Sequence, residues 1–303
     1  MNKTVILIAG PTASGKTSLA IHLAQHFRTA IISADSRQCF KEISIGVAKP
    51  TVEELKVVPH YFINTHSVHD TVTAAGFEAY ALDCAEKLFR EHDALIMAGG
   101  TGLYINAFLN GMDEIPAVDE TIRMQLTALY EANGISWLQK ELQRRDPLFA
   151  ASGAMQNPQR MLRALEVLES TGQSIVHYQK GIKKKRPFHT IKIGLDLPRE
   201  ELYDRINHRV DIMIKDGLLQ EVQGLLHLQH LNALQTVGYR ELFDYFKGEI
   251  NLDTAISKIK QNTRHYAKRQ LTWFKRDEEI KWFHPQELHD IETYIQQQLK
   301  SPA

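Results

Sequence analysis

The sequence has few cysteines and no long hydrophobic run. Its two cysteines, Cys39 and Cys84, are too few for a disulfide framework and do not have the spacing of metal ligands. No stretch approaches the roughly 18 apolar residues of a membrane span. The N-terminal apolar run at 5–9 is too short for the hydrophobic region of a signal peptide. These absences predict a cytoplasmic protein with reduced thiols and no membrane partner.

The chain also lacks net charge, because 36 Lys and Arg balance 36 Asp and Glu. Hydrophobic residues make up 43% and charged residues 24% of the 303 residues, which excludes a disordered or collagen-like chain. The length is enough for one large or two modest domains. A net charge of zero argues against a nucleic-acid partner, since such domains usually carry a basic excess.

Short β-rich runs alternate with helical patterns in the first hundred residues. The predicted strands and helices of this region lie at 4–9, 16–27, 30–34, 77–90 and 94–98. Strands that alternate with helices indicate a doubly wound α/β fold with a parallel sheet.

The pattern becomes entirely helical between about 119 and 180. Asp119 is a candidate N-cap, Asn133-Gly134 a break, and Gly172 the end of a helix over 159–171. A strand at 190–197 then returns to the α/β pattern. The sequence therefore predicts an α/β core at 1–118 and 189–303, with a helical insertion at 119–188.

The segment that follows the first strand matches the P-loop pattern G-x-x-x-x-G-K-[ST] at every specified position. Backbone N–H groups in such a loop point at a phosphate, Lys16 adds a positive charge, and the Thr17 hydroxyl can bind Mg²⁺. The predicted phosphate-binding residues are Gly10, Pro11, Thr12, Ala13, Ser14, Gly15, Lys16 and Thr17.

The third strand ends in Gly99-Gly100-Thr101 without the metal-binding acid of an ordinary ATPase. An acid, Asp35, instead follows the second strand. Because the carboxyl ends of parallel strands share one crevice, Asp35 and Thr101 are expected beside the P-loop. Taken alone, Asp35 could also be a helix N-cap, and Thr101 part of a strand-to-helix turn.

Two stretches concentrate the basic residues. Positions 258–276 hold seven Lys and Arg and no acid, together with amides and the aromatic residues Tyr266 and Trp273. Positions 180–192 add six more basic residues, and six acids at 277–292 offset part of this charge. A basic run is often only a solvated face, but the mixture at 258–276 is typical of an RNA contact. Gln159, Arg160 and Arg163 of the insertion extend this prediction, so a folded RNA is the expected partner.

Seven segments together resemble the bacterial tRNA dimethylallyltransferases. They are GPTASGKT (10–17), DSRQ (35–38), GVAKP (46–50), GGTGLY (99–104), QNPQR (156–160), VGYRE (237–241) and KRQLTWFK (268–275). The resemblance covers most of the chain and implies a P-loop NTPase-like core. Val47 replaces the family's usual threonine, and Cys39-Phe40 replace a branched aliphatic residue and tyrosine. These departures remove no group to which a catalytic role is assigned.

The resemblance implies transfer of a dimethylallyl group from dimethylallyl diphosphate to N6 of the adenosine just 3′ of the anticodon, in tRNAs that read codons beginning with U. It implies Mg²⁺ as cofactor, the anticodon stem-loop as the bound part of the tRNA, and a monomer. Asp35 would be the base, Arg209 would contact the diphosphate and Thr101 the reacting region. The implied tRNA contacts are Asp35, Ser36, Arg37, Gln38, Thr101, Arg123, Gln159, Arg160, Met161, Leu162, Arg163, Val237, Gly238, Tyr239, Arg240, Lys268, Arg269, Gln270, Trp273 and Lys275.

Three other functions fit parts of the sequence. A small-molecule kinase or ATPase would use the P-loop but gives no reason for the basic stretch at 258–276. An enzyme that prenylates free AMP would not need the helical insertion. An RNA-binding protein with a vestigial P-loop would not depend on Asp35.

Overall fold

The computed structural model describes residues 3–300, and its centre is a six-stranded parallel sheet. The strands are β1 (Thr4–Ala9), β2 (Ile31–Ser33), β3 (His60–Tyr61), β4 (Ala94–Gly99), β5 (His189–Leu195) and β6 (Lys281–Phe283). Their order is β3-β2-β4-β1-β5-β6, and every pairing is parallel. The predicted parallel α/β class is confirmed. The edge strands β3 and β6 were not predicted, because HY and KWF contain no continuous β-branched or aliphatic run of the kind that marked β2 at 30–34.

Twelve α-helices accompany these strands in the described residues. They are α1 (Lys16–His26), α2 (Val52–Val57), α3 (Ala74–Leu88), α4 (Gly102–Asn110), α5 (Glu120–Arg145), α6 (Pro147–Ala151), α7 (Pro158–Thr171), α8 (Arg199–Lys215), α9 (Leu218–Gly224), α10 (Tyr239–Phe246), α11 (Leu252–Phe274) and α12 (Leu288–Lys300). Short 3-10 helices lie at Ile175–His177, Leu226–Leu228 and Asn232–Leu234. No helix in residues 3–300 has the length and apolar character needed to cross a membrane.

The sheet forms because β1 is a continuous β-branched and aliphatic run that can be buried on both faces. All six of its residues are buried, between β4 on one side and β5 on the other. Leu19 and Leu23 of α1 pack against Ile6 and Ile8 of β1 in one apolar cluster. Burial of such aliphatic side chains contributes roughly 1.5–3 kcal/mol each.

The register of the strands brings three loops to one edge of the sheet. Ala9 of β1 lies beside Gly99 of β4, and Ser33 of β2 lies beside Ala98. The P-loop, the segment that starts at Asp35 and the turn that contains Thr101 therefore all leave the sheet at the same level.

The chain divides into two compact units, one of which comprises Asn110–Lys184. This unit is helical, and Leu138, Leu142 and Leu165 lie in its own apolar core. The Asp119 carboxylate accepts a hydrogen bond from Thr121 N, as an N-cap does. The predicted break is a kink at Gly134 (φ 71°), within the span assigned to α5. The other unit comprises residues 1–109 and 185–303 and contains the sheet.

Candidate active site

The P-loop connects β1 to the N-terminus of α1. Gly15 caps this helix with a φ of 94°, a left-handed backbone conformation that residues other than glycine rarely adopt. Lys16 Nζ donates to the Pro11 carbonyl at 2.6 Å. The Ser14 hydroxyl is fully buried and has no hydrogen-bond partner among the described residues. A buried hydroxyl without a partner costs free energy, so its position suits a ligand oxygen.

Lys16 lies in an unusual electrostatic environment. Burial lowers the pKa of its ammonium group to about 7, the Asp35 charge opposes this, and the Arg209 charge lowers it further. Burial also lowers the pKa of Arg209, which projects from α8. Asp35 and Arg209 therefore both lie within electrostatic range of Lys16.

Asp35 begins a tight turn after β2. Its Oδ1 accepts hydrogen bonds from Arg37 N at 2.9 Å and Gln38 N at 3.3 Å. One carboxylate oxygen thus has the capping contacts that sequence reasoning kept as an alternative. These contacts also fix where the carboxylate lies, within range of Lys16.

Thr101 is held directly against the Asp35 turn. Its N–H donates to Ala34 O at 3.2 Å, and its hydroxyl oxygen accepts from Ser36 N at 3.0 Å. The Tyr266 hydroxyl of α11 hydrogen-bonds the Thr101 side chain, and burial raises the pKa of Tyr266 to about 12. The expected proximity of Asp35 and Thr101 is therefore present, and a third group, Tyr266, was not predicted.

Arg37 and Gln38 bind protein loops in this structure. Arg37 Nη1 donates to the carbonyls of Asn232 and Ala233 at 3.0 and 3.2 Å. Gln38 Nε2 donates to Val47 O and Ala48 O at 3.3 and 3.0 Å. Both side chains were predicted to bind the target nucleotide, but here their polar groups order the walls of the site.

The carboxylate of Glu221, on α9, holds the loop at 44–46 from the other side. It accepts hydrogen bonds from the N–H groups of Ser44, Ile45 and Gly46 at 2.8, 2.9 and 3.0 Å. The Tyr239 hydroxyl donates to the same carboxylate at 2.5 Å. Sequence reasoning missed Glu221, because one acid in a short amphipathic helix gives no motif.

The VGYRE segment is mainly structural. Tyr239 is completely buried, because its ring packs on Gly46 and its hydroxyl binds Glu221, and its contact with RNA stays a prediction. Gly238 N donates to the buried carboxylate of Glu241 at 2.8 Å. Arg240 is exposed and Val237 is half-buried.

Helix α11 has one face on the site and another on solvent. Gln270 is 6% exposed and binds Thr12 N and Gly100 O, so its polar groups have protein partners, and its contact with RNA stays a prediction. Lys268 and Arg269 are exposed, as an RNA contact requires. Trp273 is 39% exposed, and Lys275 forms an ion pair with Asp196 at 2.8 Å.

The basic tract at 180–192 is divided between surface and interior. Arg186 pairs with Glu78 at 2.7 Å and donates to the carbonyls of Ala107 and Phe108 at the end of α4. Lys192 pairs with Asp277 and Glu279 at 2.7 and 2.6 Å. Asp277 and Glu279 thus neutralise Lys192, whose side chain is partly buried.

The predicted RNA contacts of the helical unit fall into two groups. The side chains of Met161 and Leu162 are buried in the unit's own core, and their contact with RNA stays a prediction. Arg163 is partly exposed and Arg123 is exposed, and both pair with the buried carboxylate of Glu166, at 3.2 and 3.3 Å. Gln159 and Arg160 are also exposed.

Among the described residues, no three or more His, Cys, Asp or Glu side chains group in a way that could hold a metal ion. Thr17, the predicted metal ligand, is the second residue of α1 and is partly exposed beside Lys16. A hydroxyl at this position fits the way in which Mg²⁺ binds one or two protein ligands and the substrate's phosphates.

Comparison with known proteins places the chain in a family. The family model described as IPP transferase matches residues 38–277. A tRNA dimethylallyltransferase of Cytophaga hutchinsonii is 47% identical over 300 residues, 99% of each chain. One of Christiangramia forsetii is 50% identical over 283 residues, 93% of this chain and 94% of the relative.

Solved structures give the same result over the full length. The tRNA isopentenylpyrophosphate transferase of Bacillus halodurans is 34% identical, with a TM-score of 0.72 and coverage of 99% of this chain and 97% of that one. A eukaryotic dimethylallyltransferase acting on tRNA is 27% identical, with a TM-score of 0.77 and coverage of 98% of this chain and 77% of that one. Both the sequence and the arrangement of its strands and helices show that the chain belongs to the IPP transferase family.

Proposed function

We propose that this protein is a tRNA dimethylallyltransferase, which moves the dimethylallyl group of dimethylallyl diphosphate to N6 of the adenosine 3′ of the anticodon. The expected substrates are tRNAs that read codons beginning with U. The observation that carries the proposal is the convergence of Lys16, Arg209 and Asp35 at one edge of the sheet, in a chain whose relatives are named for this activity.

The P-loop and Arg209 stabilise the leaving group. As the bond between the allylic carbon and the diphosphate oxygen breaks, negative charge grows on the diphosphate and positive charge on the carbon. Lys16 and Arg209 provide positive charge on the diphosphate side, and the orphaned Ser14 hydroxyl can donate to a phosphate oxygen. The neighbouring backbone N–H groups at the start of α1 add fixed dipoles.

Asp35 receives the proton that the nucleophile must lose. The exocyclic amine of adenosine forms the new N–C bond with the allylic carbon, and its N6 proton passes to the Asp35 carboxylate. This role depends on position, because a base must lie within hydrogen-bond reach of the proton it removes. The adenosine must leave the base stack to reach Asp35, which costs a few kcal/mol.

A magnesium ion would be held by the Thr17 hydroxyl and by oxygens of the diphosphate. When bound, it would neutralise part of the charge that develops on the leaving group. We expect Mg²⁺ to increase affinity for dimethylallyl diphosphate and to leave tRNA affinity at fixed ionic strength nearly unchanged.

Exposed cations provide the tRNA contacts in this proposal. Lys268 and Arg269 of α11, Arg240 of α10 and Arg160 of α7 are all exposed and can reach phosphates. The protein is proposed to act as a cytoplasmic monomer, as the composition and the family resemblance indicate.

A kinase or ATPase is the main competing function. β4 ends in Gly99 and is followed by Gly100 and Thr101, so it offers no carboxylate to a nucleotide-bound metal. The side chain closest in sequence, Thr101, is bound to Ser36 and Tyr266. The end of β4 therefore lacks the metal-binding acid that an ordinary ATPase carries there.

The test is to incubate the protein with Mg²⁺, dimethylallyl diphosphate and unmodified tRNA, and to map the prenylated nucleotide by mass spectrometry. Parallel reactions use ATP, or AMP in place of tRNA. We expect N6-dimethylallyladenosine only with tRNA, and loss of product in Asp35→Asn with tRNA affinity within a few-fold of the wild type. The matched control is Asp83→Asn on the exposed side of α3, which should behave as the wild type. Phosphate release from ATP without a prenylated product would contradict the proposal.

A further inference from the structure

Three side chains of α11 contact three consecutive residues of one turn. Gln270 binds Gly100, Tyr266 binds Thr101 and Trp273 lies against Gly102. Residues 266, 270 and 273 are spaced by four and three positions, so they lie on one face of the helix. The proposed chemistry uses the turn at 100–102 but assigns no function to this helix face.

Gln270 makes the most specific of these contacts. Its Nε2 donates to Gly100 O at 2.9 Å, and its Oε1 accepts from Thr12 N at 2.8 Å. The side chain therefore joins the P-loop to the turn that contains Thr101. A primary amide of this length offers both a donor and an acceptor in this arrangement, whereas an ionised carboxylate lacks the donor and a thioether has only a weak acceptor.

The other two contacts hold the same turn in place. A Cβ added to Gly102 would lie 2.1 Å from Trp273 Nε1, so the indole rests directly on the backbone. The Tyr266 hydroxyl bonds the Thr101 side chain, whose oxygen also accepts from Ser36 N. Because Ser36 directly follows Asp35, the position of the turn is transmitted to the proposed base.

The geometry points to Gln270 as a positioning residue that sets the distance between the P-loop and the Asp35–Thr101 side of the active site. This inference rests on the proposed function. It also gives α11 two tasks, since one face presents the exposed Lys268 and Arg269 while the face that carries Gln270 aligns the reacting groups. A displacement of about 1 Å between reacting groups can cost on the order of 100-fold in rate, so a small shift of the turn is enough.

The test replaces Gln270 by Met, which keeps the length and removes both hydrogen bonds, and by Glu, which keeps only the acceptor for Thr12 N. We expect Gln270→Met to lower kcat by roughly 10–100-fold with KM for tRNA within about threefold, and Gln270→Glu to lower kcat less if it retains the Thr12 contact. Gln223→Met on the exposed surface of α9 is the control and should match the wild type.

Two further measurements separate positioning from a general loss of stability. In a double-mutant cycle with Thr101→Ala, the effects on kcat should be strongly non-additive, because Gln270 acts through the turn that holds Thr101. Amide hydrogen exchange at 99–102 should be faster in Gln270→Met, with little change in the strands of the sheet.

An unchanged kcat in both Gln270 variants, or full additivity with Thr101→Ala, would overturn the inference. If Gln270→Met does not fold, Gln270→Glu is measured against the same criteria. Failure of the wild-type protein to prenylate tRNA would instead refute the proposed function, and the exchange measurement would still show whether Gln270 holds the turn.

Discussion

The lowered pKa of Lys16 makes diphosphate binding depend on pH in the neutral range. Burial brings the pKa of this ammonium group to about 7, with Asp35 opposing and Arg209 reinforcing the shift. In the free protein, Lys16 therefore loses its proton as the pH rises through about 7. A bound diphosphate adds negative charge beside it, so the complex favours the protonated form, and binding above this pH takes up a proton.

The magnitude follows from the protonated fraction of Lys16. With a pKa of about 7, this fraction falls from about one half at pH 7 to about one hundredth at pH 9. Affinity for a diphosphate should therefore fall by up to about 50-fold over this interval, less if the neutral form retains affinity. The Lys16→Met variant measures the diphosphate affinity that remains without this charge, since its side chain is neutral at every pH.

The assay is isothermal titration calorimetry with dimethylallyl diphosphate and Mg²⁺ at pH 7, 8 and 9, in two buffers of different ionisation enthalpy. The difference between buffers at pH 8 should give uptake of about 0.9 proton per ligand bound, because Lys16 is mostly neutral before binding. Zero uptake, or an affinity that rises with pH, would refute the reasoning about Lys16. Affinity for tRNA at each pH checks that the fold is intact.

Three further outcomes follow from contacts in the structure. Glu221→Gln should lower Tm by several degrees and raise KM for the substrates. The Glu221 carboxylate accepts hydrogen bonds from three N–H groups of the loop at 44–46 and from the Tyr239 hydroxyl. Such charge-assisted bonds contribute about 1.5–3 kcal/mol each. Met161→Ala should cost about 2–5 kcal/mol in denaturant unfolding, since its side chain lies in the core of the helical unit. Lys268→Ala with Arg269→Ala should weaken tRNA binding and reduce the slope of log affinity against log salt by about 2.

Each of these outcomes has a control or a contrary result. Glu53→Gln on the exposed surface of α2 should leave stability unchanged. Loss of tRNA binding in Met161→Ala without loss of stability would support a direct RNA contact for that residue. An unchanged salt slope in the Lys268 and Arg269 double variant would remove these cations from the tRNA interface.

Motifs with fixed backbone chemistry were predictable from the sequence. The P-loop needs glycine at defined positions and a strand before it, so Gly15 and Lys16 were found where the structure has them. The positions of Asp35 and Thr101 followed from the rule that parallel strands bring their carboxyl ends to one edge. The limits of α7 and its C-cap at Gly172 were also close to the prediction.

Long-range polar contacts were not predictable, because they depend on pairs of residues far apart in the chain. Gln270 meets Thr12 across 258 positions, and Glu221 meets Ser44 across 177. A basic or amide-rich motif does not reveal which members face solvent, so Gln270 and Tyr239 were assigned to RNA although both are buried. The period of α7 had placed Met161 on the core face, and the structure confirms this placement.

The contacts of Arg186 have a consequence for the evolution of this architecture. Arg186 lies just before β5, and its side chain donates to the carbonyls of Ala107 and Phe108 near the end of α4. Phe188 also stacks on Phe108. Close by in the chain, Lys184 N donates to Asn110 O at 2.7 Å. The polypeptide thus leaves and re-enters the core at points already joined to one another. A segment inserted at such a point can lengthen, shorten or be exchanged while the closure entropy of the core stays nearly constant, so this junction offers a natural site for grafting new RNA-reading modules.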